Sequence, residues 1–64
     1  MALQFRVCLD RRQARWIVRL DNKVYGDYLD KEQALLDAMD AAKDASEKGR
    51  EAQVWDQSTA ARVF

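Results

Sequence analysis

Five arginines, Arg6, Arg11, Arg12, Arg15 and Arg19, fall within the fourteen residues "RVCLDRRQARWIVR". A guanidinium is a planar fork of donors with a permanent charge, and it suits a phosphate or a carboxylate. Interleaved with aromatic side chains, such a cluster could hold a single-stranded nucleic acid, with phosphates on the arginines and bases on the rings. It could equally be the wet side of an ordinary hairpin, or the face a protein partner covers. Other chemistry is sparse. The chain has no histidine, the commonest general base and metal ligand. Its one cysteine, Cys8, cannot build a thiolate cage for zinc and has no evident base beside it. Asp37 and Asp40 share a helix face, and they read as a solvated pair. No glycine-rich phosphate loop, nucleophile elbow or dinucleotide fingerprint is present. The expectation is therefore no enzymatic activity, no catalytic, cofactor-binding or metal residue, no cofactor and no small-molecule ligand.

The elements that carry the arginines can be read from hydrophobic periodicity. Leu3, Phe5, Val7 and Leu9 alternate with Gln4, Arg6 and Cys8, the period-two pattern of a strand with one apolar face. Trp16, Val18 and Leu20 alternate with Arg15, Ile17 and Arg19 in the same way. The intervening "DRRQA" contains neither Gly nor Asn, so it predicts a loop of about four residues on a type I turn rather than a two-residue mirror-image turn. Pairing Leu9 with Trp16 would set Arg6 across from Arg19 and Asp10 across from Arg15. Turn signals follow at Asp21–Asn22 and Gly26–Asp27, leaving a short extended piece at Lys23 to Tyr25. Asp30 with Gln33 then has the spacing of a capping box, and a breaker-free run leads to Lys48 with Gly49 as the C′ residue. The apolar stripe of this helix, about residues 31–48, is Leu35, Ala38, Met39, Ala42 and Ala45 or Ser46, widened by Ala34 and Ala41. "AQVWD" and "AARVF" around "QST" predict a second hairpin, in which either Val54 or Trp55 faces the helix. The expected fold is one α+β domain over 1–64, a two-layer ββαββ arrangement with the helix on one face of an antiparallel sheet.

The stretch from Trp16 to Phe64 resembles a family of small, uncharacterised bacterial domains. The matching pieces are a Trp-x-Val strand ("WIV"), a Lys-Glu-x-Ala helix start ("DKEQAL"), an alanine-rich helix ("AMDAAK") and a closing hairpin ("VWDQSTAARVF"). That family often has Gly in the closing turn, where this chain has "QST". The resemblance implies the fold and, because its motifs are packing motifs, implies no site residue.

Composition and charge narrow the function classes. The chain has 64 residues, 48% hydrophobic and 34% charged, with two glycines and no proline, which suits one ordered domain. A core of this size is small, because only about 60% of the unfolded surface is hidden in so short a chain. No apolar run is long enough to span a bilayer or serve as a signal-peptide core, and a single cysteine suits a reducing compartment, so a cytoplasmic location is expected. Net charge is zero, yet residues 1–26 hold six basic residues against two acidic, and residues 27–51 hold eight acidic against four basic. The basic hairpin and acidic helix make a dipolar molecule. The candidate interaction surface is Arg6, Arg15, Ile17 and Arg19 on the uncovered sheet face, with Trp55 beside them if Val54 turns inward. The expected role is a protein-interaction or self-associating domain working through that face or a strand edge, a homodimer or a protein partner being the occupant. Weak binding of single-stranded nucleic acid is the alternative.

Overall fold

The computed structural model describes residues 2–64. Its elements run β1 (Leu3–Asp10), β2 (Arg15–Leu20), β3 (Lys23–Tyr28), α1 (Lys31–Glu47), β4 (Ala52–Asp56) and β5 (Ala61–Arg62). One five-stranded sheet, in the order β3-β2-β1-β4-β5, is covered on one face by α1. This is the expected α+β class with two corrections. A third strand precedes the helix where only a short extended piece is expected, and β4 lies parallel to β1, so the sheet is mixed rather than antiparallel.

The alternation in β1 and β2 produces the register it implies: Arg6 pairs with Arg19, Leu9 with Trp16 and Asp10 with Arg15. Four residues, 11–14, connect the two strands, and Ala14 closes the turn with φ 52°. The β2–β3 connection is only Asp21 and Asn22, with Asp21 at φ 55°. Gly26 sits within β3 instead of marking a turn. A Cβ there would lie 2.7 Å from Tyr28 Oη, so glycine lets that ring lie over the strand. Next to it the register shifts between Val18 and Arg19, which leaves Tyr25 as the extra residue of a bulge. Its ring meets Phe5 edge-on, centroids 5.5 Å apart at 89°.

The helix starts where Asp30, in extended conformation, accepts the Gln33 N–H at 2.8 Å. It ends at Lys48, and Gly49 follows with φ +83°, the left-handed conformation expected of a C′ glycine. Ala34, Ala38 and Ala42 are its fully buried residues. Leu35, Met39, Ala41 and Ala45 flank that line half-buried, and Ser46 is exposed. Against them the sheet presents Phe5, Val7, Val18, Ala52 and Val54. The small alanines bring the helix close to the β-branched residues, which fill the layer between. Val54 therefore faces the helix and Trp55 the open side. Leu9 is 42% exposed, because β1 runs past the end of β4, which pairs only as far as Val7.

Candidate functional site on the open sheet face

The face of the sheet away from α1 is built by the residues that alternate with the core. From β1 come Gln4, Arg6, Cys8 and Asp10; from β2 come Arg15, Ile17 and Arg19; from β4 come Gln53 and Trp55. All five predicted surface residues, Arg6, Arg15, Ile17, Arg19 and Trp55, lie here. Cross-strand register arranges them in rows. Arg19 pairs with Val24 on one side and Arg6 on the other; Arg6 also pairs with Trp55, and Trp55 with Arg62. The result is a lateral row, Val24–Arg19–Arg6–Trp55–Arg62, that crosses all five strands. Arg62 was not among the expected residues. The four-residue turn "QSTA" places it opposite Trp55, a consequence available from the sequence once the turn length is known.

Two neighbouring charges in the row, Arg6 and Arg19, are uncompensated by carboxylates: among the described residues no ion pair involves either. Arg6 donates to Gln4 Oε1 at 2.9 Å, and Arg62 Nε donates to the main-chain oxygen of Phe64 at 2.8 Å. The two acidic groups on this face are engaged elsewhere. Asp27 Oδ2 stands 3.1 Å from Arg15 Nε, an ion pair without the alignment of a hydrogen bond. Asp10 Oδ1 accepts the Arg12 N–H at 3.0 Å. Arg15 is thus the paired arginine of the expected set, and Arg6 and Arg19 the unpaired ones. Trp55 is half-buried, and its Nε1 donates to Gln53 Oε1 at 3.1 Å. With its one polar atom satisfied within the chain, the indole offers a partner its π surface.

Toward the β1–β2 turn the face dips into a shallow depression of about 440 Å³, lined by Cys8, Leu9, Asp10, Arg11, Arg12, Ile17 and Arg19. Three arginines border it. The Cys8 thiol there donates to the Ile17 carbonyl at 3.7 Å, the ordinary behaviour of a small residue on a strand.

A second cluster joins residues far apart in the sequence. Asp56, 4% exposed, accepts from the Ser58 hydroxyl at 2.7 Å and the Ser58 N–H at 3.0 Å, and its other oxygen lies 2.7 Å from Lys31 Nζ. Lys31 Nζ also donates to Ser58 Oγ at 2.8 Å and stands 5.7 Å from the centre of the Trp16 ring. Burial pushes the Asp56 carboxyl up, but the hydrogen bonds from Lys31 and Ser58, with the lysine charge, outweigh it and bring the group down to about 2. The aspartate thus pairs with Lys31 and accepts the hydrogen bond of the serine hydroxyl, and the cluster works as a clamp between the helix start and the β4–β5 turn. On the other side of the helix start, burial and the neighbouring Asp37 carboxylate push the Tyr28 hydroxyl up to about 12.

Among the described residues no group of three or more His, Cys, Asp or Glu is placed to hold a metal ion. No helix among them is long and apolar enough to cross a membrane. Set against known protein families, curated proteins and solved structures, the chain matches none. The functional reading therefore rests on the geometry of the open face.

Proposed function

We propose that this protein is a small, non-enzymatic interaction domain whose working surface is the open sheet face, and that it engages a negatively charged partner. The observation that carries the reading is the register row of Arg19, Arg6, Trp55 and Arg62, in which two uncompensated cations stand side by side next to one half-buried indole and a third arginine flanks it. Like charges directly opposite one another on neighbouring strands destabilise a sheet. The pairing of Arg6 with Arg19 makes sense when an anion sits between them. Two copies meeting face to face about a two-fold axis would set this row against itself, so the occupant is better sought among anions. The test is an amide-resolved NMR titration with short anionic chains. Shifts confined to Arg6, Arg19, Trp55 and their neighbours support the reading, and shifts confined to the acidic face of α1 refute it.

Self-association has its own support at a different place, the unpaired edge of β3. Val24 is 57% exposed and Tyr25 48%, beside a depression of about 550 Å³ lined by Leu20 to Tyr25. An uncovered strand edge with apolar side chains is a template for a second copy. Sedimentation velocity across a wide concentration range tests it. A dimer that disappears with Val24→Lys supports this second reading, and a monomer throughout removes it.

A further inference from the structure

Resting on the open-face reading, we infer that the anionic partner is a single-stranded nucleic acid, held across the strands with a base stacked on Trp55 and phosphates on the arginines beside it. Neighbouring strands are about 4.8 Å apart, so the three steps from Arg19 through Arg6 and Trp55 to Arg62 span about 14 Å. That length suits two or three nucleotides, the number an open sheet with exposed rings accommodates. The order of groups fits the ligand. A ring with a cation on each side in the same register can stack one base while its 5′ and 3′ phosphates reach Arg6 and Arg62.

Beyond Arg19 the depression bordered by Arg11 and Arg12 extends the cationic track toward the β1–β2 turn. Gln4 and Gln53 pair across the strands next to the row. Each has its amide oxygen engaged, by Arg6 and Trp55 respectively, and carries amide N–H groups that can serve an incoming acceptor. A peptide of acidic residues alone would use the arginines and leave the indole idle. A duplex would need an element able to enter a groove, and this sheet face presents none. Single-stranded nucleic acid uses all of these groups.

The experiment uses the full chain carrying Trp16→Phe, which leaves Trp55 as the reporting tryptophan, and a ten-nucleotide oligo-dT as probe. The oligonucleotide should quench Trp55 emission, and its affinity should fall with salt with a log–log slope near −2, as about three phosphate contacts on a single strand require. In the wild-type background, read by anisotropy of a labelled probe, Trp55→Ala should weaken binding about tenfold or more while Trp55→Phe retains most of it. Arg62→Glu, at an exposed site on a two-residue strand, should weaken it as well. Circular dichroism checks that each variant is folded. Equal affinity for the duplex of the same length, or unchanged affinity in both Trp55→Ala and Arg62→Glu, overturns the inference. A ten-residue Glu/Tyr peptide followed by NMR separates the two levels of argument. If the peptide moves open-face amides and oligo-dT does not, the nucleic-acid inference fails and the open-face reading stands. If neither moves them, both fall.

Discussion

Asp10 and Asp56 open the two four-residue turns at the same end of the sheet and make the same bond there. Each carboxylate accepts the backbone N–H two residues on, Arg12 in one turn and Ser58 in the other, at 3.0 Å in both. Each turn also closes on an alanine in the left-handed region, Ala14 at φ 52° and Ala60 at φ 55°. "DRRQA" and "DQSTA" are thus one local solution used twice, the side chain starting a turn that mimics backbone hydrogen bonding. The two aspartates differ in what else they hold. Asp10 is half-buried and holds only its own turn, whereas Asp56 is buried and clamped to Lys31.

That difference predicts a specific acid sensitivity. The Asp56 carboxyl stands at about 2 when folded, below its ordinary 3.8. Its contribution is therefore present above pH 3.8 and is lost as pH falls toward 2, where the folded carboxyl also takes up its proton. Asp56→Asn should cost about 2 kcal/mol at pH 7, the loss expected when hydrogen bonds to a charged group are weakened. The same variant should lose less between pH 4 and pH 2 than the wild type does. Urea melts at the three pH values check both statements, and parallel curves for the two proteins would contradict the clamp.

The left-handed alanines predict gains. An L-residue in that region costs about 1–2 kcal/mol, whereas glycine adopts it freely but gives the unfolded chain more freedom. Ala14→Gly and Ala60→Gly should each raise stability by about 0.5–1 kcal/mol. The two sites lie in separate turns, so the gains should add in the double variant. Thermal melts of the three proteins decide it.

The alanine line of the helix sets the distance between the layers. Ala38 is fully buried, and Ala38→Leu should cost about 1–3 kcal/mol by overpacking. Asp40→Lys, on the exposed side of the same turn, should be nearly neutral. If chemical denaturation ranks them the other way, the buried face of the helix has been misassigned.

The fold was legible where side-chain periodicity speaks. The alternation of Leu3 to Leu9 and of Trp16 to Leu20 carries the β1–β2 register, and Asp30, Gln33 and Gly49 mark the helix ends. It failed at Gly26, read as a turn because glycine usually is one, whereas here it accommodates the Tyr28 ring. The parallel pairing of β1 with β4 follows from that one miss. With two strands before the helix, β4 would return antiparallel to β1; with three, the helix starts at the opposite end and β4 runs parallel. Of the candidate surface, Arg6, Arg15, Ile17 and Arg19 were visible as the outward half of two strands. Trp55 hung on the choice against Val54, which core packing makes. The clamp of Lys31 with Asp56 and Ser58 had no local signal, because its partners lie 25 and 27 residues apart and meet only after the helix docks.

The opposed arginines make the final prediction, which sets stability against binding. Arg6 and Arg19 stand directly across from each other on β1 and β2, and both are exposed. Arg19→Glu replaces a repulsive cross-strand pair with an attractive one and should raise the stability of the free protein by a few tenths of a kcal/mol, up to about 1. The same change removes one cation from the row and adds an anion, so binding of an anionic chain should drop sharply. Raised salt should shrink the stability gain, since the exposed pair is screened. Chemical denaturation at two salt concentrations, beside a binding isotherm, measures both halves. A residue kept at a cost to the fold, whose replacement strengthens the protein and abolishes binding, is the signature of a surface shaped for a partner. If Arg19→Glu leaves binding intact, Arg19 is only part of the solvated hairpin and the row does not act as a unit.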